Sequence, residues 1–513
     1  MRHGVTAGSM SYLLWSLPTL AVALPILSGR VKVTYAALLG LLVAVPVAVF
    51  SGPSAFGAQQ LAQALARGLW LGFTVAPYIL GGLLFWQIAV RDAEPTPADA
   101  PASANSSVPN ESPTSNGLAP SGTSALARRR QAFFACFLIG PFAESATGFG
   151  VGMLGTVALL RRFDLAPRHL MVFALLSQSL IPWGAMGSGT MLAAAYARIS
   201  PTQLALYSLL PVALLMLVWL ALFWRTARAA GLLAPRTECA REAGWIAAAL
   251  TLLALTTLFL GPETALLAAF APLIVLRHAH DQRPDRRRFL NTARRGLPYL
   301  VLIGALVLVR LLPGVRESIG SLLKLAPYPD LPSWSPFLHA GSWLIAGAVL
   351  TALARRQSRL LAKEARAACT TGKHAVLTMF AFAMMAEVLS MAGIARAFAA
   401  GMFAAFGSGA VLLAPLVSGA FGILANSGTP PNSLFMPSQL VLAIQAGLSI
   451  PAVAALQHVC ASSLGLFAPV RMSIAAGLSR GIGQEHAVYV VLLPYAVASV
   501  ALLSLCAGLA LLL

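Results

Sequence analysis

The sequence predicts an all-α polytopic membrane protein, with about twelve transmembrane helices and two re-entrant hairpins in an inverted-topology repeat. Three observations carry this. The 513 residues are 58% hydrophobic and 10% charged, with a mean hydropathy of +0.79, a composition that only a bilayer accommodates. The run Gly140-Pro141-Phe142-Ala143-Glu144-Ser145-Ala146-Thr147-Gly148-Phe149-Gly150 interrupts apolar sequence with a carboxylate, two hydroxyls and glycines. The same order of parts (long span, polar hairpin, broken span, final span) occurs at 61–224 and again at 373–512.

The chain divides into N-terminal helices over 1–90, a linker over 91–130, and a first hairpin-containing core over 131–224. Intervening helices with basic loops follow over 225–372, then a second hairpin-containing core over 373–513. Apolar windows near 11–28, 33–50 and 61–90 predict three spans. The first, Tyr12 to Leu27, lacks a small-residue cleavage site and reads as a retained helix. Residues 91–130 are rich in Pro, Ala, Ser and Asn. They hold too little apolar surface to offset chain entropy, which predicts a disordered cytoplasmic linker ending in Arg128-Arg129-Arg130.

The apolar runs Ala132–Ile139 and Val151–Leu160 are each too short to cross a bilayer, which takes about 20 residues. Polar, irregular backbone persists at membrane depth only beside protein or a water-filled cavity. This predicts a hairpin whose tip faces a site. The next span is interrupted at Ile181-Pro182-Trp183-Gly184 through Thr190, where a proline and glycines predict a broken helix. Further spans are predicted near 203–224, 243–260, 263–277, 297–312, 337–353 and 373–398. A second irregular region near 403–445 precedes spans near 450–475 and 486–512.

The net charge of +19 is dispersed over loops between apolar segments, which argues against a nucleic-acid partner and for basic loops on one membrane face. Arg225–Arg241, Arg277–Arg295 and Arg355–Lys373 fall on the cytoplasmic side together. Arg128–Arg130 and Arg161–Arg162 join them only if residues 132–160 enter and return without crossing. Both termini are then outside. The five cysteines, Cys136, Cys239, Cys369, Cys460 and Cys506, show no metal-binding or disulfide spacing, and no cofactor motif accompanies them.

The second irregular region runs from Gly419 through Asn426-Ser427-Gly428-Thr429-Pro430-Pro431-Asn432 to Phe435. Gly140, Phe142 and Gln178 recur as Gly419, Phe421 and Gln457 at one offset. Inverted repeats with broken helices meeting at mid-membrane are a common transporter architecture.

These residues also resemble a known family. Phe142-Ala143-Glu144-Ser145-Ala146-Thr147-Gly148-Phe149-Gly150 resembles the F-x-E-x-x-x-G-F-G signature of the L-lactate permease family. Gly419 to Phe435 is similar to its G-x-F-x-x-x-S-N-T-x-x-N-x-x-F segment. Ala455-Leu456-Gln457 with Val470-Arg471-Met472-Ser473-Ile474-Ala475-Ala476 is similar to its last motif. The resemblance implies import of a small 2-hydroxy monocarboxylate, lactate or glycolate, with a coupling cation (a proton or sodium). The protein would then be a multi-pass component of a bacterial plasma membrane, in contact with lipid. The family's S-N-T stands here as Asn426-Ser427-Gly428-Thr429. Leu464-Gly465-Leu466 replaces a Gly-Asn pair, and Arg471 stands where a histidine is expected. These departures bear on the particular substrate.

Glu144, Glu387 and His458 are the candidate proton or ion-coupling residues. A carboxyl inside an apolar segment is a functional hypothesis by default, and its plainer reading is a structural acid bonded to backbone. Ser145, Thr147, Asn426, Ser427, Thr429, Asn432, Gln457 and Arg471 are the candidate substrate-binding residues. They supply hydroxyls, amides and a guanidinium near helix breaks, where half-helix ends attract ions. The plainer readings are helix capping for the small polar residues, snorkelling for Arg471, and a satisfied core group for His458. Carrying or channelling a different small organic or inorganic anion is the alternative function, and the oligomeric state is left open. An intramembrane enzyme ranks below both, because no span sets a nucleophile, base and orienting group at workable spacing.

Overall fold

The structure, a computed structural model, describes residues 9–90, 124–148, 150–282 and 286–511. Among these residues the architecture is all-helical, as expected, apart from one isolated β-bridge between Leu325 and Trp334. Nine helices among the described residues are long and apolar enough to cross a bilayer, or up to eleven if each of two bent pairs is one span. The windows predicted as twelve spans all fall on helices, some of them short or bent. Ala340–Ala354 has 15 residues, and Gly296–Leu311 turns by 96° into Pro313–Leu322.

The first packing group joins helices Ala58–Val90, Ala340–Ala354 and Leu361–Met391, with Val33–Ser51 against the last of these. Ala58–Val90 has 33 residues and is about 50 Å long at 1.5 Å per residue. It must therefore lie tilted in a hydrocarbon layer of roughly 30 Å. Pro77 lies within it, and the neighbouring helix meets that point with Gly341. A side chain there would begin 2.6 Å from the Pro77 carbonyl carbon.

The second group holds both hairpins and both interrupted spans, walled by helices Pro201–Ala229, Arg236–Leu260, Pro262–Gln282 and Glu485–Ala510. The first hairpin descends through Ala125–Phe134, a π turn at Ala135–Ile139 and Gly140–Thr147. It returns through Val151–Leu160. The descending arm is longer than the apolar run predicted, because Arg128–Arg130 is helical and extends it. The π turn places Gly140 N–H on Ala135 C=O. This wider turn lies just before Pro141, whose ring would clash with the Phe137 carbonyl in a regular α-helix.

The predicted linker falls mainly on 91–123, outside the described residues. Its last residues depart from it: Ser124 caps the helix, its Oγ accepting from Ala127 N–H at 3.2 Å. Arg129 is buried, with Nε and Nη2 donating to Glu242 at 2.8 and 2.7 Å. Arg130 donates to Glu238 at 3.0 and 2.8 Å. These two carboxylates, about 110 residues downstream, anchor the Ala125–Phe134 helix.

The ion pairs bear on topology. They place Arg129 and Arg130 beside the 225–241 loop, and Arg130, Arg162 and Arg277 line one cavity. Both roots of the first hairpin therefore lie together, as an entering and returning segment requires. The second hairpin pairs Ala414–Ala425 with Thr429–Ala446, within the region predicted. The first broken span runs Pro167–Leu176, Ile181–Trp183 and Gly184–Ala197, with a 59° bend. The second runs Ile450–Ser463, Leu464–Phe467 and Pro469–Ser479.

Candidate functional site

Glu144 organises the first tip. Thr147 ends the descending arm. Gly148 and Gly150 then take φ of 73° and 79°, a region glycine occupies without steric penalty. This reversal brings Glu144 over the start of Val151–Leu160. Oε1 accepts from Gly150 N–H at 3.2 Å, and Oε2 accepts from Gly152 N–H and Gln178 Nε2, each at 3.1 Å. At 6% exposure, the acid caps a helix N-terminus and ties the tip to the interrupted span. Gly152 lets the two arms meet, since a Cβ there would sit 2.5 Å from Gly140 C=O.

The second tip reverses through Asn426, at φ 54° and ψ 25°, a conformation Asn tolerates better than most residues. Asn426 Oδ1 accepts from Arg471 Nε at 3.1 Å, while Ser427 Oγ accepts from Thr429 N–H at 3.3 Å. Arg471 lies just beyond the second break and is 7% exposed. Its Nη1 has no hydrogen-bond partner among the described residues. Snorkelling leaves a charge in water; here the guanidinium is drawn inward instead.

His458 joins the two halves. Asn432 Nδ2 donates to His458 Nδ1 at 2.9 Å, which leaves Nε2–H to face Thr190 Oγ1 at 2.9 Å. Thr190 in turn donates to Pro182 C=O. The tautomer is inferred from this network. Each ring nitrogen is occupied, so the imidazole ties the second hairpin to the first interruption. At the first interruption Ala185 and Met186 hold φ of 46° and 53°, strained values for side chains bearing a Cβ.

These elements enclose a cavity of about 400 Å³. The structure brings Glu144, Asn426, Ser427, Thr429, Asn432, His458 and Arg471 to its walls. Glu144 and Arg471 are near enough for their charges to interact. Arg471 is the one Lys or Arg side chain among the described lining residues.

Four predicted residues do not line it. Ser145 donates to Trp183 C=O at 3.1 Å, and Thr147 to Ala143 and Gly148 C=O at 2.9 and 3.1 Å. Their hydroxyls satisfy backbone instead of a ligand. Gln457 braces the second hairpin, accepting from Ser418 Oγ at 2.5 Å and donating to Pro431 C=O at 3.3 Å. Glu387 accepts from Arg67 Nε at 2.6 Å, in an ion-pair group that includes Asp330 and Arg198. A paired acid away from the cavity has a structural account.

Sequence reasoning missed Ser188, His374 and Thr378, which also line the cavity. His374 and Thr378 are four apart on the Leu361–Met391 helix, hence on one face. That spacing was the available signal. Thr34 completes this wall, its hydroxyl 2.8 Å from that of Thr378.

Fold and cavity together define a polytopic α-helical membrane protein with a chamber, lined in part by polar side chains, between two hairpin tips and two helix breaks. The architecture is similar to that of the Alcanivorax borkumensis YdaH transporter, whose crystal structure is described as revealing an unusual topology. The TM-score is 0.52 over 93% of this chain and 97% of that one, at 14% identity, a likeness of fold. No protein-family model matches the sequence, and no curated protein matches it. The lactate permease resemblance therefore rests on the motifs quoted above.

Proposed function

We propose that the chain is a secondary active transporter importing a small 2-hydroxy monocarboxylate, lactate or glycolate, coupled to a proton or sodium, in a bacterial plasma membrane. One observation carries this reading: two residues on the chamber wall carry a buried donor and a buried acceptor left unmatched among the described residues. Among the described residues, Arg471 Nη1 is a buried donor without a partner and Asn432 Oδ1 a buried acceptor without one. A carboxylate satisfies the first and a 2-hydroxyl the second. Unpaired buried polar groups cost about 1–3 kcal/mol each, so a ligand supplying both is favoured over one supplying neither. A single lining guanidinium suits a monoanion better than a dianion. The motif resemblance points to the same substrate class, and the shared fold supports a transport role.

Glu144 is the proposed coupling acid. Its oxygens already meet three N–H donors, so binding a proton or cation would compete with the bonds that set the tip. Ion binding and tip geometry would then be linked. The test is uptake of labelled lactate and glycolate into proteoliposomes under imposed proton and sodium gradients, with propionate and inorganic anions as competitors. Uphill accumulation of either hydroxy acid supports the reading. Downhill flux alone would mark a channel, and preference for an inorganic anion would replace the substrate assignment.

A further inference from the structure

The roots of the first hairpin enclose a second cavity of about 390 Å³ on the basic-loop face. Three elements wall it: the start of Ala125–Phe134, the end of the ascending arm at Arg162, and the end of Pro262–Gln282 at Arg277.

Arg277 is the telling residue. Its side chain is 0% exposed and its Nε is 2.5 Å from Asp281 Oδ2. Nη1 and Nη2 have no hydrogen-bond partner among the described residues, although Nη2 lies 3.6 Å from Glu238 Oε1. The Phe133 and Trp245 rings, 5.4 and 5.2 Å away, hold the guanidinium in place. Arg162 is exposed over the Phe163 ring at 5.1 Å and makes no hydrogen bond or ion pair among the described residues.

The titratable groups on the walls and bonded to them are Arg130, Arg162, Arg241, Arg277, His278, His280, Glu238 and Asp281. Four arginines face two carboxylates, an excess of two positive charges with both histidines neutral. The first turn of Ala125–Phe134 adds the N–H groups of Ala125 and Leu126, that of Ala127 being capped by Ser124 Oγ. Phe134, Phe163 and Leu126 supply an apolar rim.

We propose that this cavity binds a phosphate group, which clamps both roots of the first hairpin to the Pro262–Gln282 helix. Its several oxygens match the open guanidinium donors of Arg277 and Arg162. The source is either an anionic phospholipid headgroup, favoured by the apolar rim at a basic membrane face, or free phosphate. The site is separate from the chamber between the tips and requires no transport assay.

The test uses the delipidated full chain in neutral detergent. Its thermal unfolding midpoint is followed against phosphatidylglycerol, inorganic phosphate, and sodium chloride at matched ionic strength. The site predicts a saturable rise in midpoint with phosphatidylglycerol, with inorganic phosphate, or with both, and the effective arm identifies the source. Arg162→Ala should weaken the apparent affinity about tenfold, equivalent to about 1.4 kcal/mol, with the unliganded midpoint unchanged. Arg162→Lys should recover part of it. If Arg162→Ala folds poorly, Arg162→Gln, the second neutral variant, replaces it in the same titration. No saturable effect beyond chloride, or wild-type affinity in both neutral variants, would overturn the proposal.

Discussion

Arg471 Nε donates to Asn426 Oδ1 at 3.1 Å. This bond ties the half-helix after the second break to the tip of the second hairpin, across 45 residues of chain. The tip asparagine occupies one edge of the guanidinium and leaves Nη1 without a hydrogen-bond partner among the described residues. Arg471→Lys retains the charge but removes the planar fork, so it should lose tip bonding and carboxylate capture together. Half-saturation for lactate should rise about tenfold or more, and Arg471→Ala should abolish saturable binding. Near-normal affinity in Arg471→Ala would remove the residue from substrate recognition.

Asn432 should discriminate hydroxy acids from plain ones. A site that bonds a substrate hydroxyl rejects an analogue lacking it, because its own acceptor is then left unpaired. Wild type is expected to prefer lactate to propionate, and Asn432→Ala to narrow that ratio by about tenfold or more. The same variant frees His458 Nδ1, so folding is checked separately by its unfolding midpoint. An unchanged ratio in a folded variant would refute hydroxyl reading by Asn432.

Glu144→Gln replaces one accepting carboxylate oxygen with an NH2 donor and keeps the side chain's size. It should still exchange labelled for unlabelled substrate across the membrane while failing to concentrate it under a gradient. Full gradient-driven accumulation would rule out a coupling role and leave Glu144 as the cap of Val151–Leu160.

Gly422 packs against the second broken span so closely that a Cβ would lie 2.1 Å from Ala461 C=O. Backbone on both sides prevents easy relief. Gly422→Ala should destabilise the protein by about 1–3 kcal/mol, the usual range for overpacking, seen as a lower unfolding midpoint. An unchanged midpoint would show that the hairpin and span separate freely.

Asp330 links Arg67 and Arg198 from a loop outside the membrane-spanning helices. Its bonds to Arg67 hold its carboxyl well below the usual carboxylate range. A depressed native pKa stabilises the fold above the unfolded value near 3.9, and that stabilisation is lost as pH falls through the native value. The midpoint difference between wild type and Asp330→Asn should therefore be equal at pH 5 and pH 8 and shrink in stronger acid. A difference that changes between pH 5 and 8 would contradict the assignment.

Sequence alone determined the helical membrane class, both hairpins and both interruptions. Each is a local conflict between polar or helix-breaking residues and an apolar environment, and a conflict of that kind shows in composition and spacing. It also placed Arg128–Arg130 and Arg161–Arg162 on one face, because charge counts along a threaded chain restrict topology. Tertiary structure decided which polar groups are spent and which stay open. Ser145, Thr147 and Gln457 looked like Asn432 in sequence, yet their hydrogen bonds go to backbone or a neighbouring side chain, while Asn432 Oδ1 goes unmatched among the described residues. Arg129 sat in a loop-like composition until Glu242, 113 residues away, drew it into the interior. Whether a buried donor or acceptor is satisfied depends on partners remote in the chain, so only the folded arrangement separates a brace from a binding group.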